Sequence, residues 1–304
     1  MMRHFLDLKD FDKSQLQALL DYGIAVRADL KAGIQNEQPL AGQHIGMIFE
    51  KPSTRTRVSF EVGISQLGGT PIILSTNDMQ LGRGETVSDT ARVLSSYLDG
   101  IMIRCLQHDT LMALADNADI PVINGLTNRS HPCQVMADMM TMIDYHGAIE
   151  GQIVTWAGDG NNVAVSWLEA AAIMDFELRL ACPQGYEPPA ELIAWARAKG
   201  ATISLSDDLA QAAKDADVLV TDVWISMGDD EGTRIADMTP FQVNDEIMAL
   251  AAPDAIFMHC LPAIREMEVT ASVIDGTQSA VWREAENRLH AQKAVLAYCA
   301  GKVI

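Results

Sequence analysis

Apolar residues fall in short continuous runs, separated by stretches of helical spacing, over most of the chain. Runs at 44–49, 70–75, 100–105, 121–124, 152–158, 177–182, 202–205, 217–222 and 255–260 have the length and composition of buried strands. Between them apolar positions recur every three or four residues. Examples are Val87, Ala91, Val93, Leu94 and Leu98 over 86–98, and Val135, Met139 and Met142 over 131–146. Strand and helix in alternation predict parallel sheets with helices on both faces. Nine strands in 304 residues are more than one such sheet needs. The pattern therefore predicts an α/β protein of two doubly wound parallel-sheet domains joined by long helices. The helix over 131–146 is the natural joint, because strands resume at Gln152. The stretch over 284–300 is helical in spacing with no strand after it, and is expected to pack back onto the first domain. The expected division is 1–145 plus 286–304 for one domain and 146–285 for the other.

Composition narrows the function. The chain is 48% apolar with no run near the ~18 residues of a membrane span. Its first residues enter an acidic amphipathic pattern without a signal-peptide core, so a cytoplasmic setting is expected. A net charge of −19 argues against nucleic-acid and anionic-membrane partners, and makes any small anionic substrate depend on a local basic cluster. Cys105, Cys133, Cys182, Cys260 and Cys299 are odd in number and widely scattered. They show neither zinc nor dithiol spacing, which fits a reduced compartment and no metal.

Several clusters carry chemistry. The run from Glu50 to Glu61 lies between a predicted strand and a predicted helix. It places Ser53, Thr54, Arg55 and Thr56 where free backbone N–H groups and the positive end of the helix dipole point outward, a place suited to phosphate. An N-capping Ser53 and an Arg57–Glu61 helix pair would explain part of the run, but ask for neither Arg55 nor Thr56. A second cluster, from Asn128 to Gln134, sits between a strand and the long helix. There Pro132 suits a first helical turn, and His131 and Gln134 can both polarise a carbonyl oxygen. A metal on His131 and Cys133 lacks further ligands at useful spacing. A third cluster, His259-Cys260-Leu261-Pro262, closes a strand. Gly158-Asp159-Gly160-Asn161-Asn162-Val163 is close to a dinucleotide fingerprint, but Val163 stands where the third glycine belongs. Its asparagines would equally grip a substrate carboxylate. Asp222 begins a segment through Ser226 and Met227 that runs on as an acidic loop to about 237, of a length expected of a lid.

Taken together these elements resemble the transcarbamylase family. The resemblance is carried by Ser53-Thr54-Arg55-Thr56-Arg57, His131-Pro132-Cys133-Gln134, Asp222-x-x-x-Ser226-Met227-Gly228, His259-Cys260-Leu261-Pro262 and Glu284-Ala285-Glu286-Asn287-Arg288, in order and interval over almost the whole chain. The Ser-Met-Gly and His-Cys-Leu-Pro segments resemble the ornithine-accepting branch. The resemblance implies transfer of a carbamoyl group from carbamoyl phosphate to the δ-amine of L-ornithine, giving citrulline and phosphate, without a cofactor, a metal or a covalent intermediate. It implies phosphate binding by Ser53, Thr54, Arg55 and Thr56, with Gln80 supplied by a neighbouring subunit of a homotrimer. Arg104, His131 and Thr56 would surround the carbamoyl oxygen, Gln134 would take the carbamoyl amide, Pro132 and Cys133 would belong to the same site, and Arg288 would complete it. Asn162, Asp222, Ser226 and Met227 would hold ornithine, with Cys260 and the Leu261 carbonyl near the reacting centre. Arg104, His131, Cys260 and Arg55 are thus the expected catalytic residues. Ile264 and the short acid-rich stretch after Gly228 depart from the family pattern and bear on acceptor choice, putrescine or a modified ornithine being the alternatives. From other classes, a nicotinamide-dependent dehydrogenase rests only on Gly158 and Gly160, and a non-catalytic binding protein would be expected to have lost some of these polar residues.

Overall fold

The computed structural model describes residues 3–35, 37–76, 79, 84–225 and 232–303. The chain divides into two compact units, 1–137 with 287–304, and 138–286. In the first unit β1 (His44–Phe49), β2 (Thr70–Ser75), β3 (Gly100–Arg104) and β4 (Val122–Leu126) form a parallel sheet in the order β2-β1-β3-β4. The helices of this unit are α1 (Lys13–Lys31), α2 (Thr54–Gln66), α3 (Val87–Ser95) and α4 (His108–Asn117). Ile48, Ile101, Ile103, Leu111, Leu114 and Val122 share one of its hydrophobic clusters. The segment before α1 joins the sheet edge: Phe5 bridges Ile123 in parallel, its N–H donating to the Val122 carbonyl at 2.9 Å.

In the second unit β5 (Ile153–Ala157), β6 (Glu177–Ala181), β7 (Ile203–Ser206), β8 (Val218–Thr221) and β9 (Ile256–His259) form a parallel sheet in the order β7-β6-β5-β8-β9. Its helices are α6 (Asn162–Met174), α7 (Ala190–Ala198), α8 (Leu209–Ala213), α9 (Arg234–Met238), α10 (Asp245–Met248) and α11 (Ala271–Ile274). Leu219, Phe241, Val243, Phe257, Ile274 and Val281 pack together in its core. The two unit boundaries fall inside helices, at 137/138 in α5 (Pro132–His146) and at 286/287 in α12 (Val281–Cys299).

The expected strand at each of the nine places is present, and both sheets are all-parallel. Two differences are instructive. Helix α12 begins at Val281, ahead of the predicted 284. The stretch to 237, predicted as loop, contains α9, fastened by Arg234. The Arg234 Nε donates to the Trp224 carbonyl at 2.5 Å, its guanidinium pairs with Asp159 and lies 5.1 Å over the Tyr186 ring.

Each sheet reverses its strand order once, and that fixes where a ligand can enter. In open parallel sheets, ligands bind beyond the carboxyl ends of strands where neighbouring connections diverge. In the first unit that point lies between β1 and β3, whose ends pair as Phe49 with Arg104. In the second it lies between β5 and β8, whose ends pair as Ala157 with Thr221.

Candidate active site

The first unit places its basic residues at that switch point. Ser53 is the extended N-cap of α2, and its hydroxyl accepts from the Thr56 N–H at 3.4 Å. Thr54 and Arg55 fill the first helical positions, and the surface at the turn is concave, lined by Phe49, Lys51, Pro52, Ser53, Thr54 and Arg57. Thr56 is buried, and two guanidiniums from distant parts of the chain converge on its hydroxyl. Arg104, at the end of β3, donates through Nη1 at 3.3 Å, and Arg288, on α12, through Nη2 at 2.9 Å. Sequence positions 48 and 232 residues away are thereby gathered at one helix start. Such a group of N–H donors and fixed positive charges is suited to a phosphate and to a carbonyl oxygen that gains charge.

His131 is buried beside them. Burial, then the charges of Arg288 and Arg104, push its pKa well below the ordinary imidazole value, so at neutral pH it is a neutral group able to donate a hydrogen bond without contributing charge. Pro132 opens α5, and Gln134 is buried in its first turn, its N–H donating to the His131 carbonyl at 3.0 Å. The Cys133 thiol is directed to the Asn124 carbonyl at 3.3 Å, and burial raises its pKa to about 12. It is inert as a nucleophile; what its position offers is backbone at a helix start. Gln80 lies outside the described residues.

The second unit gathers a different chemistry at its own switch point. Asp222 follows β8, and three donors hold its carboxylate. The Asn161 Nδ2 reaches Oδ2 at 2.8 Å, while the Val223 N–H at 2.8 Å and the Cys260 thiol at 3.1 Å reach Oδ1. Burial, then the Asp222 charge, push the Cys260 pKa well up, so Cys260 is a thiol that donates and not a thiolate. Asn161 also caps α6, accepting from Val163 and Ala164 N–H through Oδ1 at 2.9 and 3.2 Å. Asn162 begins that helix. Ser226 and Met227 lie outside the described residues.

The Leu261 backbone is fixed by a chain of hydrogen-bonded groups. Leu261 has φ of 56°, in the left-handed region, and its N–H donates to His259 Nδ1 at 2.9 Å. With Nδ1 accepting, the imidazole proton is on Nε2, which faces Glu268 Oε1 at 3.2 Å. Ile264 N–H donates to the same oxygen at 2.5 Å, and His259 N–H to Glu284 at 2.8 Å. Glu268→Ala would leave the buried His259 imidazole and the partly buried Ile264 N–H without an acceptor. It is expected to cost about 2–4 kcal/mol of stability, measured as a lower urea midpoint with an unchanged slope.

Among the described residues, Asp222, His259 and Cys260 bring three ligand-type atoms within 4.8 Å of one another. Each is engaged: the thiol is protonated on Asp222, both imidazole nitrogens are bound, and the carboxylate takes three donors. The group is a hydrogen-bond network as it stands.

The fingerprint-like glycines have a packing reason. A Cβ on Gly160 would lie 2.3 Å from Pro188 N and 2.4 Å from its Cδ. Gly160 thus lets two loops touch, and Val163, where a dinucleotide fold needs a third glycine, is buried in α6. Gly160→Ala is expected to destabilise by about 1–3 kcal/mol, read from the same urea transitions.

Sequence reasoning missed Asn161 as the partner of Asp222, and missed His259, Glu268 and Glu284 as the frame of Leu261. His259 and Glu284 stand inside recognised motifs, but Glu268 has no sequence signal: its role follows only from the return of the chain after β9.

Comparison with known proteins agrees in both units. Residues 3–144 match the family described as aspartate/ornithine carbamoyltransferase, carbamoyl-P binding domain, and residues 150–299 match aspartate/ornithine carbamoyltransferase, Asp/Orn binding domain. The chain is 55% identical to an ornithine carbamoyltransferase of Rhodopseudomonas palustris, over 99% of this chain and 98% of that one. It is 56% identical to one of Nitrobacter winogradskyi, over 98% and 97%. Among solved structures it is similar to ornithine carbamoyltransferase from Pyrococcus furiosus, with a TM-score of 0.95 and 47% identity over 99% of this chain and 98% of that one. The same is true of ornithine carbamoyltransferase from Burkholderia thailandensis, with a TM-score of 0.92 and 45% identity over the whole of both chains.

Proposed function

The chain belongs to the aspartate/ornithine carbamoyltransferase family, and on that footing we propose that it transfers the carbamoyl group of carbamoyl phosphate to the δ-amine of L-ornithine. The observation that carries the assignment to residues is the convergence of Arg104 and Arg288 on Thr56, beside a neutral His131. Ser53, Thr54, Arg55 and Thr56 hold the phosphate, and Arg288 completes the carbamoyl phosphate site. Arg104, His131 and Thr56 surround the carbamoyl oxygen, and Gln134 takes the carbamoyl amide. Asn162, Asp222, Ser226 and Met227 hold the acceptor. In this division residues 1–145 with 286–304 serve carbamoyl phosphate, and 146–285 serve ornithine.

The δ-nitrogen lone pair attacks the carbamoyl carbon, and charge builds on the oxygen faced by Arg104 and His131. The bond to the phosphate oxygen then breaks, and its electron pair leaves with phosphate. One proton leaves the amine before attack and a second passes to the departing phosphate, which balances the reaction. Taking Lys, with pKa ~10.4, as a proxy, neutralising the amine at pH 7 costs about 4–5 kcal/mol. Cys260 remains a proton donor to Asp222 throughout and takes no covalent part.

The working form is a cytoplasmic homotrimer in which Gln80 reaches a neighbour's site. The exposed apolar pair Val58 and Val62, one turn apart on α2 beside the phosphate residues, supports that reading by offering a face for another copy. Sedimentation as a trimer of 33.1 kDa chains is expected, and a monomer at working concentration would overturn it. The reaction itself is tested by offering carbamoyl phosphate with ornithine, putrescine, N-acetylornithine and aspartate in turn. Citrulline from ornithine is expected. Preference for another amine would replace the acceptor assignment but keep the phosphate site, and absence of any product would remove the reaction.

A further inference from the structure

We propose that Asp7 is a positioning residue for His131, acting through Ser130; its importance for turnover rests on the carbamoyl-transfer reading above. Asp7 and Ser130 are both buried. The Ser130 hydroxyl donates to Asp7 Oδ1 at 2.5 Å and accepts from Asn124 Nδ2 at 3.0 Å. The same Asn124 amide donates to the Leu6 carbonyl at 2.8 Å, and Asn124 N–H to the Phe5 carbonyl at 2.8 Å, so the strap carrying Asp7 is tied to the end of β4. The other carboxylate oxygen, Oδ2, faces Lys9 Nζ at 3.3 Å and His108 Nε2 at 3.6 Å. His108 closes the ring through Nδ1, 3.0 Å from Thr127 Oγ1, which accepts the N–H groups of Arg129 and Ser130 at 3.3 Å each. Thr127 N–H donates in turn to the Ser130 carbonyl at 3.0 Å.

The ring Asp7–Ser130–Thr127–His108 therefore clamps the backbone up to the residue before His131. On the other side Pro132 already belongs to α5. His131 is the one residue between two fixed supports, and its side chain can hold its angle to Arg104 and Arg288 only while Ser130 holds its own. A carboxylate from the start of the chain does this because Ser130, with a single hydroxyl proton, needs a strong acceptor in a buried place. Orientation errors of about 1 Å in a catalytic donor cost up to about a hundredfold in rate.

The test compares Asp7→Ala, Asp7→Asn and Ser130→Ala in the full chain. Asparagine keeps an oxygen in the place of Oδ1 and rescues the contact; alanine at either position removes it. Asp7→Ala and Ser130→Ala are expected to lower kcat by about 10- to 100-fold, with KM for both substrates within about threefold and Asp7→Asn close to the parent. A fall in Tm with kcat unchanged would make the contact merely structural and overturn the proposal, as would equal losses in Asp7→Asn and Asp7→Ala. If Asp7→Ala does not fold, Ser130→Ala decides alone, since it leaves the strap intact. A readout without turnover separates this proposal from the reaction assignment. The imidazole resonance of His131, identified by its loss in His131→Gln, should move in both alanine variants and stay in Asp7→Asn; an unmoved resonance overturns the anchoring. Should the parent protein form no citrulline while that resonance moves as expected, the anchoring stands and the reaction assignment falls.

Discussion

Arg104→Met is expected to lower kcat by about three orders of magnitude, about 4 kcal/mol of transition-state stabilisation. The side chain leaves the end of β3, paired in register with the end of β1, so its base is as rigid as the sheet. Its Nη1 donates to the buried Thr56 hydroxyl at 3.3 Å, which holds the guanidinium at the start of α2. In the proposed reaction that is where the carbamoyl oxygen gains charge. Methionine keeps much of the volume and removes both charge and donors. Lysine keeps the charge but has no planar fork, and is expected to recover less than about tenfold of the loss. Citrulline formation under saturating substrates gives kcat, and calorimetric titration with carbamoyl phosphate gives the ground-state share. A kcat within about tenfold of the parent would remove Arg104 from the chemical step.

His131→Gln should cost about 100- to 1,000-fold in kcat, since on the proposed assignment one preorganised donor to the developing oxyanion is lost. It also has a pH signature with a definite sign. The unfolded imidazole titrates near the ordinary 6.5, and the folded one well below it because burial and two arginines disfavour the cation. Between those two values the unfolded chain binds a proton that the folded chain does not. The His131 contribution to stability is therefore complete above about 6.5 and declines as pH falls below it, by up to about 1.4 kcal/mol per pH unit. His4 and His108, also lowered chiefly by burial, add terms of the same sign, but they are present in both proteins. The difference in unfolding free energy between parent and His131→Gln should thus shrink as pH falls from 7 to 5. A difference independent of pH would mean that His131 titrates normally in the folded state, and one that grows as pH falls would mean that it is held protonated there. In turnover, the neutral imidazole predicts no acid limb near 6.5 from this residue.

The inner strands were legible because they are buried on both faces, unlike the edge strands β2 and β7. Runs such as Ile101-Met102-Ile103 admit no polar alternation, and Gly/Asn/Asp turns bound them. Helix α9 was not legible, since its five residues have no apolar period and are held by the bonds of Arg234 to Asp159 and Trp224. For the site, what could be read was local: a helix start at Ser53, a strand end at Arg104, an imidazole before Pro132. What could not be read was which groups meet. The hydroxyl of Thr56 serves two arginines 48 and 232 positions on, and Asn161, read as one of a pair able to grip a substrate carboxylate, gives its amide to Asp222, 61 positions on. Asp7, read as part of an acidic amphipathic start, is bound to Ser130, 123 positions away. A sequence pattern states what each turn or strand prefers; such long-range pairings depend on strand order and register, which the alternation of α and β leaves open.

The three donors on Asp222 come from three separate β–α junctions: Asn161 after β5, Val223 after β8 and Cys260 after β9. Residues joined in one network do not contribute independently, and coupling energies of about 0.5–3 kcal/mol are usual among them. Losing Asn161 releases Asp222, after which losing Cys260 removes little more. Substitutions at these positions should therefore show strong epistasis, counting nearly once in combination. In evolutionary terms the carboxylate is entrenched: no single step inside the network moves Asp222 without first freeing it.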